Sequence, residues 1–407
     1  MPVVDTLRSV LRFRPIEWDP EIRRLRTATN VADLRRIARR RLPRGVFDYI
    51  DGGAEDELSL RRNVEAFRRV EFSPRVLNDV GRVDTSTTLL GRPIPLPLVL
   101  APTGFTRIAT SGGELDVAHS AARAGIPYTL STLATRSIEE VAAVSDGAKW
   151  FQVYVWKDRG LVKDMLARAA DSGYETIVLT VDTAVLGRRE RDVRRGFTLP
   201  PKIGAATILD GLIHPQWTWD FVRAEPIMFA NIVGSGAPDG TRVASLAEYV
   251  NSQFNASLSW KDLDWFRGAW TGPLVLKGVQ AVEDARRAAD AGIEAIALSN
   301  HGGRQLDGAP PILELVAPAV EAVGDRVEII CDGGIRRGSD IVKAVALGAR
   351  ACMVGRPYLY GLGAAGELGV DHVISLLDSG MRRTMALTGC RTIADLGPDL
   401  VRWRSWG

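Results

Sequence analysis

One string gathers chemistry most densely: Ser299-Asn300-His301-Gly302-Gly303-Arg304. An imidazole that directly follows an apolar run, between an asparagine and two glycines, sits in a turn and not on a packed face. It can take a proton near neutral pH. Arg304, three residues on, can hold a carboxylate through two parallel N–H bonds. Asp182 ends another apolar run, and a carboxylate beside an imidazole orients it and favours its protonated form. The bland alternative is a structural turn histidine. His119, His214 and His372 have no comparable setting. Four histidines without H-x3-H or HExxH spacing point to no metal site.

A second group points to an oxyanion. Asp332-Gly333-Gly334-Ile335-Arg336-Arg337-Gly338 and Gly355-Arg356-Pro357 both follow apolar runs. Glycines let backbone N–H groups approach an anion, a following helix adds its positive end, and arginines add charge. Gly333, Gly334, Arg336, Gly355 and Arg356 read as a phosphate clamp, with tight turns and solvated arginines as the alternative. Other run ends carry Ala101-Pro102-Thr103-Gly104, Ser131, Gln152, Tyr154, Thr180 and Lys277. Ser131, Gln152, Thr180 and Lys277 offer hydrogen bonds of both senses, as a planar polar heterocycle anchored by one phosphate requires. Lys277 either sets its ammonium beside a ring that becomes anionic on reduction or reaches solvent.

Placing all these ends on one rim needs a particular architecture. From about residue 94, short β-branched runs alternate with amphipathic windows. The runs are Leu98–Ala101, Tyr128–Ser131, Trp150–Tyr154, Thr176–Val181, Leu274–Lys277, Ala295–Ser299, Val327–Cys331 and Cys352–Val354. Helical windows such as Leu115–Ala124, Leu161–Ser172, Val282–Ala291 and Ser339–Leu347 follow them. Continuous apolar strands alternating with helices mean a parallel sheet covered on both faces. Eight such units predict an α/β fold, a closed (β/α)8 TIM barrel. Its catalytic face is the C-terminal end of the strands, and its recurring phosphate site follows strands seven and eight. No Gly-x-Gly-x-x-Gly follows the first strand, which opposes a doubly wound dinucleotide fold.

The chain divides into an N-terminal helical extension and cap over 1–93, a barrel over 94–390 and a tail over 391–407. Residues 30–70 read as two helices, with Asn30 capping Val31–Arg41 and Pro43 ending that helix or opening the next. Val3, Val4, Leu7, Val10 and Leu11 form a helical stripe for docking, on protein or on a membrane surface. Residues 190–270 form a long insertion after strand four, expected as a lid, a partner contact or a loop. Its aromatics Trp217, Trp219, Phe221, Trp260, Trp265 and Trp270 are expected to pack.

Composition narrows the classes. The 407 residues hold 52 Lys+Arg and 49 Asp+Glu, a net charge of +3. That makes no electrostatic case for nucleic acid. With 46% hydrophobic and 25% charged residues the chain is globular, not disordered. Cys331, Cys352 and Cys390 lack CxxC spacing and read as buried small side chains in a reducing compartment. The longest apolar run, around Ile94–Pro102, is too short to span a bilayer. The first 27 residues show neither a secretory leader nor the acid-poor composition of a transit peptide, so a cytoplasmic location is expected.

The same motifs resemble the FMN-dependent L-2-hydroxy acid dehydrogenase/oxidase family, which includes glycolate oxidase, lactate oxidase and mandelate dehydrogenase. The resemblance rests on Phe47-Asp-Tyr49 with its Gly-Ala-Glu-Asp run, Ala101-Pro-Thr-Gly104, Phe151-Gln-Val-Tyr154, Thr180-Val-Asp182, Ser299-Asn-His301-Gly-Gly-Arg304-Gln, Asp332-Gly-Gly-Ile-Arg336-Arg-Gly and Gly355-Arg356-Pro. It covers about residues 28–390, and the motifs stand in the family's order. It implies FMN as cofactor and oxidation of an L-2-hydroxy acid to the 2-oxo acid. By resemblance, His301 is the base and Asp182 its partner. Arg304 and Tyr49 hold the substrate carboxylate, Arg189 adds charge, and Tyr154 bonds the reacting substrate. Lys277 stabilises the reduced flavin. Ala101, Pro102, Thr103 and Gly104 lie against its ring, and Ser131, Gln152 and Thr180 hold its polar edge. Ser299 also belongs to the cofactor site, while Asp332, Gly334, Arg336, Gly355 and Arg356 hold the ribityl phosphate.

The departures from the pattern carry information. Leu133 stands where plant glycolate oxidases carry tryptophan, which leaves room for a larger substrate side chain. Gly104 stands where oxygen-using members usually have alanine, which favours a dehydrogenase. Thr183-Ala184-Val185 replaces a proline-containing stretch. The overall likeness is to bacterial L-lactate dehydrogenases that pass electrons to a quinone. L-Lactate is therefore the expected substrate, a quinone or other acceptor the expected partner, and a homotetramer the family's usual assembly. The N-terminal stripe and the Trp217/Trp219 segment raise peripheral contact with the inner face of the cell membrane. The rivals are a mandelate-type dehydrogenase, an oxidase using O2, and a non-catalytic FMN- or phosphate-binding scaffold.

Overall fold

The computed structural model describes residues 17–195, 204–232 and 252–404. The stripe Val3–Leu11 therefore lies outside the described residues, as do Pro200-Pro201 and Gly234–Gly240. Among the described residues the eight apolar runs are eight strands. They are β1 Leu98–Leu100, β2 Tyr128–Ser131, β3 Lys149–Tyr154, β4 Thr176–Thr180, β5 Leu274–Val279, β6 Ala295–Ser299, β7 Glu328–Asp332 and β8 Ala351–Val354. Each pairs in parallel with its sequence neighbour, and β8 returns to β1 to close the barrel. The predicted (β/α)8 fold is thus the observed one.

Pleating sorts the strand residues into two faces. The lumen holds Val99, Trp150, Val178, Val275, Ala297, Ile330 and Met353 in one apolar cluster. A short antiparallel ribbon, Thr87–Leu89 with Arg92–Ile94, closes the N-terminal end by adding Leu89 and Ile94 to that cluster. Its turn, Leu90-Gly91, has positive φ at both residues, the geometry that matches the twist of a tight hairpin. Two residues up the same faces the lumen turns polar: Gln152, Thr180, Lys277, Ser299 and Asp332, all buried. The outward faces pack under the helices.

The N-terminal extension contains three helices between residues 30 and 70, not two. They are Val31–Arg41, Arg44–Asp51 and Leu58–Arg69. Asn30 caps the first through the backbone N–H of Asp33, and Pro43 opens the second. The second helix forms because Val46, Phe47 and Ile50 recur at helical spacing and are buried. It carries Tyr49 to the C-terminal mouth of the barrel. The insertion after β4 includes helices Glu190–Arg195, Ala205–Leu212, Pro215–Arg223 and Asp262–Ala269. Of its aromatics, Trp270 is buried, while Trp217 stacks on Phe221 and donates to the Ile108 carbonyl at 2.7 Å. Trp219 and Phe221 are exposed, contrary to the packing expectation. Their helix lies along the outside and buries none of its residues.

Candidate active site

The loops after β6 and β4 bring His301 and Asp182 together across 119 residues. Nδ1 of His301 lies 3.0 Å from one carboxylate oxygen of Asp182 and 3.2 Å from the other. His301 adopts φ +56°, a left-handed conformation that costs energy for a non-glycine residue. Two bonds hold it there: the Asp182 contact, and its own backbone N–H donating to Ser299 Oγ at 3.0 Å. Gly302 and Gly303 continue at positive φ, so the chain turns sharply and sends Arg304 back over the site. Burial pushes the Asp182 carboxyl up, but the His301 imidazole and the Lys277 ammonium pull it below its ordinary value. Asp182 is therefore a buried anion whose partner is the imidazole.

Arg304 lies over the Tyr49 ring with Cζ 5.0 Å from its centroid, and Arg189 sits at 5.2 Å from the same ring. Arg304 Nη1 donates to the carbonyls of Tyr49 (2.7 Å) and Gly52 (3.1 Å), which orient the guanidinium without neutralising it. Burial and the nearby Arg189 charge depress it to about 9. Arg189 pairs with Asp192 at 3.1 Å, whereas Arg304 is bonded to carbonyls alone, so an anion bound beside Arg304 would be stabilised. Tyr154 is buried, and burial together with the Asp182 charge pushes its phenol up, so it holds its proton.

A cavity of about 180 Å³ joins these groups to the loops after β7, β8 and β1. Its lining includes Tyr49, Ala101, Pro102, Thr103, Gly104, Tyr154, Arg189, Lys277, His301, Arg304, Asp332, Gly334, Arg336, Gly355 and Arg356. Ser131, Gln152, Thr180 and Ser299 are outside that lining, as part of the buried polar strand ends, and Asp182 stands behind His301. Lys277 pairs with Asp332 at 2.9 Å and donates to Ser299 Oγ at 3.2 Å. Burial lowers the ammonium's pKa, but Asp332 and Asp182 more than restore it, so the lysine stays charged. The cavity lining carries Lys277, Arg189, Arg304, Arg336 and Arg356 against the single carboxylate of Asp332.

Two details differ from a simple phosphate clamp. Each guanidinium nitrogen of Arg356 donates to a carbonyl: Ile50 at 3.1 Å, Gly302 at 2.8 Å and Gly52 at 2.7 Å. Its guanidinium thus stitches the Tyr49 helix to the His301 turn, and it offers a ligand mainly charge. Arg336 Nη1 bonds the Ile335 carbonyl at 2.8 Å. The polar strand ends, by contrast, are incomplete. Gln152 Oε1 accepts from Ser131 Oγ at 3.1 Å and from Thr132 N at 3.3 Å, yet Gln152 Nε2 and Thr180 Oγ1 are buried with no partner. Buried polar atoms without partners are costly and rare. A planar heterocycle with donors and acceptors along one edge, tethered by an anionic group, fits this combination of orphan atoms and excess cationic charge.

Several site-building residues carry weak sequence signals. Asn63 and Asn300 exchange side-chain amide bonds at 2.7 and 3.0 Å, tying the Leu58–Arg69 helix to the His301 turn. Gln305 donates to the carbonyls of Asp182 (3.1 Å) and Val185 (3.0 Å), holding the loop after β4. Asp51 binds Arg35, Arg191 and the Tyr360 hydroxyl, fixing the end of the Tyr49 helix. Phe105, Leu133, Leu186 and Phe254 form the apolar side of the cavity.

Fold and site together define a TIM-barrel enzyme whose strand ends carry an imidazole–carboxylate pair, two arginines over one tyrosine ring and buried polar atoms suited to a planar cofactor. Comparison with known proteins gives the family. The model of FMN-dependent dehydrogenases matches residues 38–403. A Mycobacterium tuberculosis protein is 46% identical over 98% of this chain and 95% of its own length. An L-lactate dehydrogenase of Caulobacter vibrioides is 43% identical over 92% of this chain and 98% of its own. The crystal structure of the monotopic membrane protein (S)-mandelate dehydrogenase superposes with a TM-score of 0.89 at 42% identity, covering 93% of this chain and 100% of that one. The chain belongs to the FMN-dependent dehydrogenase family, and FMN is its cofactor.

Proposed function

We propose that this enzyme oxidises an L-2-hydroxy acid, L-lactate foremost, to the 2-oxo acid and delivers the electrons to a quinone or another acceptor. The observation that carries the reading is the convergence of the His301–Asp182 pair with Arg304 and Arg189 in one cavity. FMN, when bound, would supply the sink for two electrons and one of the two protons released; the other proton goes to His301. Arg304 and Arg189 bind the substrate carboxylate, whose negative charge meets the buried Arg304 guanidinium that has only carbonyl partners. That anchors the hydroxyl-bearing carbon beside the imidazole. Because Nδ1 faces Asp182, Nε2 is the nitrogen that takes the substrate proton. The imidazolium so formed is paired with a carboxylate already held in its charged state. Tyr154 keeps its proton and donates to the reacting oxygen. Gln152 and Thr180, whose Nε2 and Oγ1 have no partner, would hold the flavin's polar groups, Lys277 would place positive charge beside it, and Arg336 with the turns at Gly334 and Gly355 would hold the phosphate.

L-Mandelate is the second reading, because Leu133 and Phe105 leave an apolar wall for a larger side chain. Gly104 favours a dehydrogenase over an oxidase; a Cβ there would stand 3.1 Å from Leu133 Cβ, so an alanine would crowd that wall. The assembled pair argues against a non-catalytic scaffold. The deciding experiment is anaerobic titration of the yellow holoenzyme with L-lactate, D-lactate and L-mandelate, then with quinone or O2. Bleaching by L-lactate alone, with fast reoxidation by quinone and slow peroxide formation, is the expected result. No bleaching by any 2-hydroxy acid would end this reading.

A peripheral membrane site at the cytoplasmic face belongs to the same proposal. Among the described residues no helix is long and apolar enough to cross a membrane. The helices Ala205–Leu212 and Pro215–Arg223 nevertheless expose Ile208, Leu209, Leu212, Ile213, Trp219 and Val222 together. Such a patch suits a bilayer interface, and the mandelate dehydrogenase relative is a monotopic membrane protein. The buried free cysteines suit a reducing compartment. The assembly proposed is the homotetramer, read by light scattering in detergent.

A further inference from the structure

Behind the substrate cavity lies a second one of about 250 Å³. It lies between β4, β5 and the helix Asp262–Ala269. Its walls are largely apolar, with Val155, Leu179, Leu258, Trp260, Leu263 and Phe266. An apolar cavity of roughly 150 Å³ already admits a benzene-sized guest. Two acids stand at its edge: Asp262 pairs with Arg159 and accepts from Ser259 N at 2.8 Å, and Asp284 faces Arg287 at 4.0 Å. Of the residues assigned to substrate or cofactor, Thr180 alone is in its lining.

Two residues, Phe254 and Thr183, line both cavities. Phe254 is 9% exposed, and its ring meets Tyr154 edge-on at 5.3 Å between centroids. Its place is set by backbone as well as by packing. Phe254 bridges Trp156 in antiparallel fashion, Lys157 N donates to the Gln253 carbonyl at 2.9 Å, and Lys157 Nζ donates to the Ser252 carbonyl at 2.7 Å. The ring is therefore placed as a wall by these backbone bonds together with its contact on Tyr154. On one side stand the guanidiniums that bind a carboxylate; on the other is an apolar space of alkyl-chain size.

We propose that Phe254 is a specificity-determining partition: it ends the space for the substrate side chain, and the cavity behind it is a latent subsite for the alkyl chain of a longer 2-hydroxy acid. This rests on the 2-hydroxy acid reading above. A carboxylate anchored at Arg304 and Arg189 directs the side chain of its substrate past Tyr154 to Phe254. Removing the ring joins the two cavities. Each methylene then buried adds up to about fourfold in affinity.

The test uses holoenzyme of wild type, Phe254→Ala and the double variant F254A/L258W, in which the new indole refills the space. L-Lactate and L-2-hydroxyoctanoate are compared by kcat/KM, and pyruvate and 2-oxooctanoate by calorimetric Kd. The F254A variant should raise the hydroxyoctanoate-to-lactate ratio by at least about tenfold, a fraction of the full gain for five added methylenes. Its Kd for 2-oxooctanoate should fall in parallel, and L258W should reverse both changes. An unchanged ratio and Kd in F254A, or gains that survive L258W, would overturn the partition. If no 2-hydroxy acid reduces the flavin, the reaction assignment fails. The 2-oxo acid calorimetry still decides the partition in that case.

Discussion

Replacing Asp182 by Asn tests the core of the proposed chemistry with the least change in shape. Asp182 is buried, with its oxygens 3.0 and 3.2 Å from His301 Nδ1. A base must start without the proton, so in the reacting form the imidazole is neutral and the pair is a hydrogen bond. As the proton moves to Nε2, an imidazolium forms beside the carboxylate. Charges centred about 4 Å apart attract by about 4 kcal/mol at an effective dielectric near 20. An asparagine carbonyl still accepts from Nδ1, which retains about 1 kcal/mol. The net loss of about 3 kcal/mol falls on the transition state alone and corresponds to roughly 10²-fold in rate. D182N should therefore lower kcat and kcat/KM together by about 10²- to 10³-fold, leaving KM nearly constant. Anaerobic stopped-flow bleaching of the flavin reads the step directly, and FMN content and Tm control for folding. A D182N enzyme that keeps kcat within about threefold, with full FMN content, would refute the charge-pairing argument.

Three further outcomes follow from other parts of the molecule. His301→Gln should lose about 10²- to 10⁴-fold in turnover while retaining FMN; undiminished turnover would remove His301 from the role of base. Burial pushes the Asp51 carboxyl up, but its bonds to Arg35 and Tyr360 bring it down from 3.8 to about 2. A depressed folded pKa means the contribution is fully present above about pH 4 and is lost as pH falls toward 2. It amounts to about 2 kcal/mol. D51N should accordingly lower Tm at neutral pH and flatten its decline below pH 4; equal acid sensitivity of variant and wild type would contradict the assignment. Serine at Leu212, Ile213 and Trp219 should abolish co-sedimentation with phosphatidylglycerol-containing vesicles without altering L-lactate bleaching; equal binding by wild type and variant would dismiss the proposed membrane patch.

The barrel was legible because a parallel strand buried on both faces must be apolar along its length and can turn polar only at its open end. All eight runs end in such a motif, and the observed strand ends shift by only a residue or two from them. The glycine turns were legible for a related reason, since positive φ at Gly302, Gly303, Gly333 and Gly334 is a conformation other residues rarely take. The third N-terminal helix carries a weak sequence signal because it follows the Gly52-Gly53 loop and starts at Glu57 in a left-handed conformation without a side-chain cap. The exposure of Trp219 and Phe221 was missed because aromatic residues report large apolar area, not which side of a helix the protein covers. Asn63, Asp51 and Phe254 left little trace, because a hydrogen bond or ring contact across the fold imposes no local pattern.

The amino-acid order alone determined the closed barrel, the rim on which polar groups gather, and the residue types able to move a proton and bind anions. Those follow from short-range rules of burial, pleating and backbone freedom. Only the tertiary structure decided that Asp182 faces Nδ1 of His301, that two guanidiniums share the Tyr49 ring, that Arg356 stitches loops together, and that Phe254 divides two cavities. These relations join residues tens to hundreds of positions apart. Their energies depend on distances and solvent exclusion that exist only once the chain has closed.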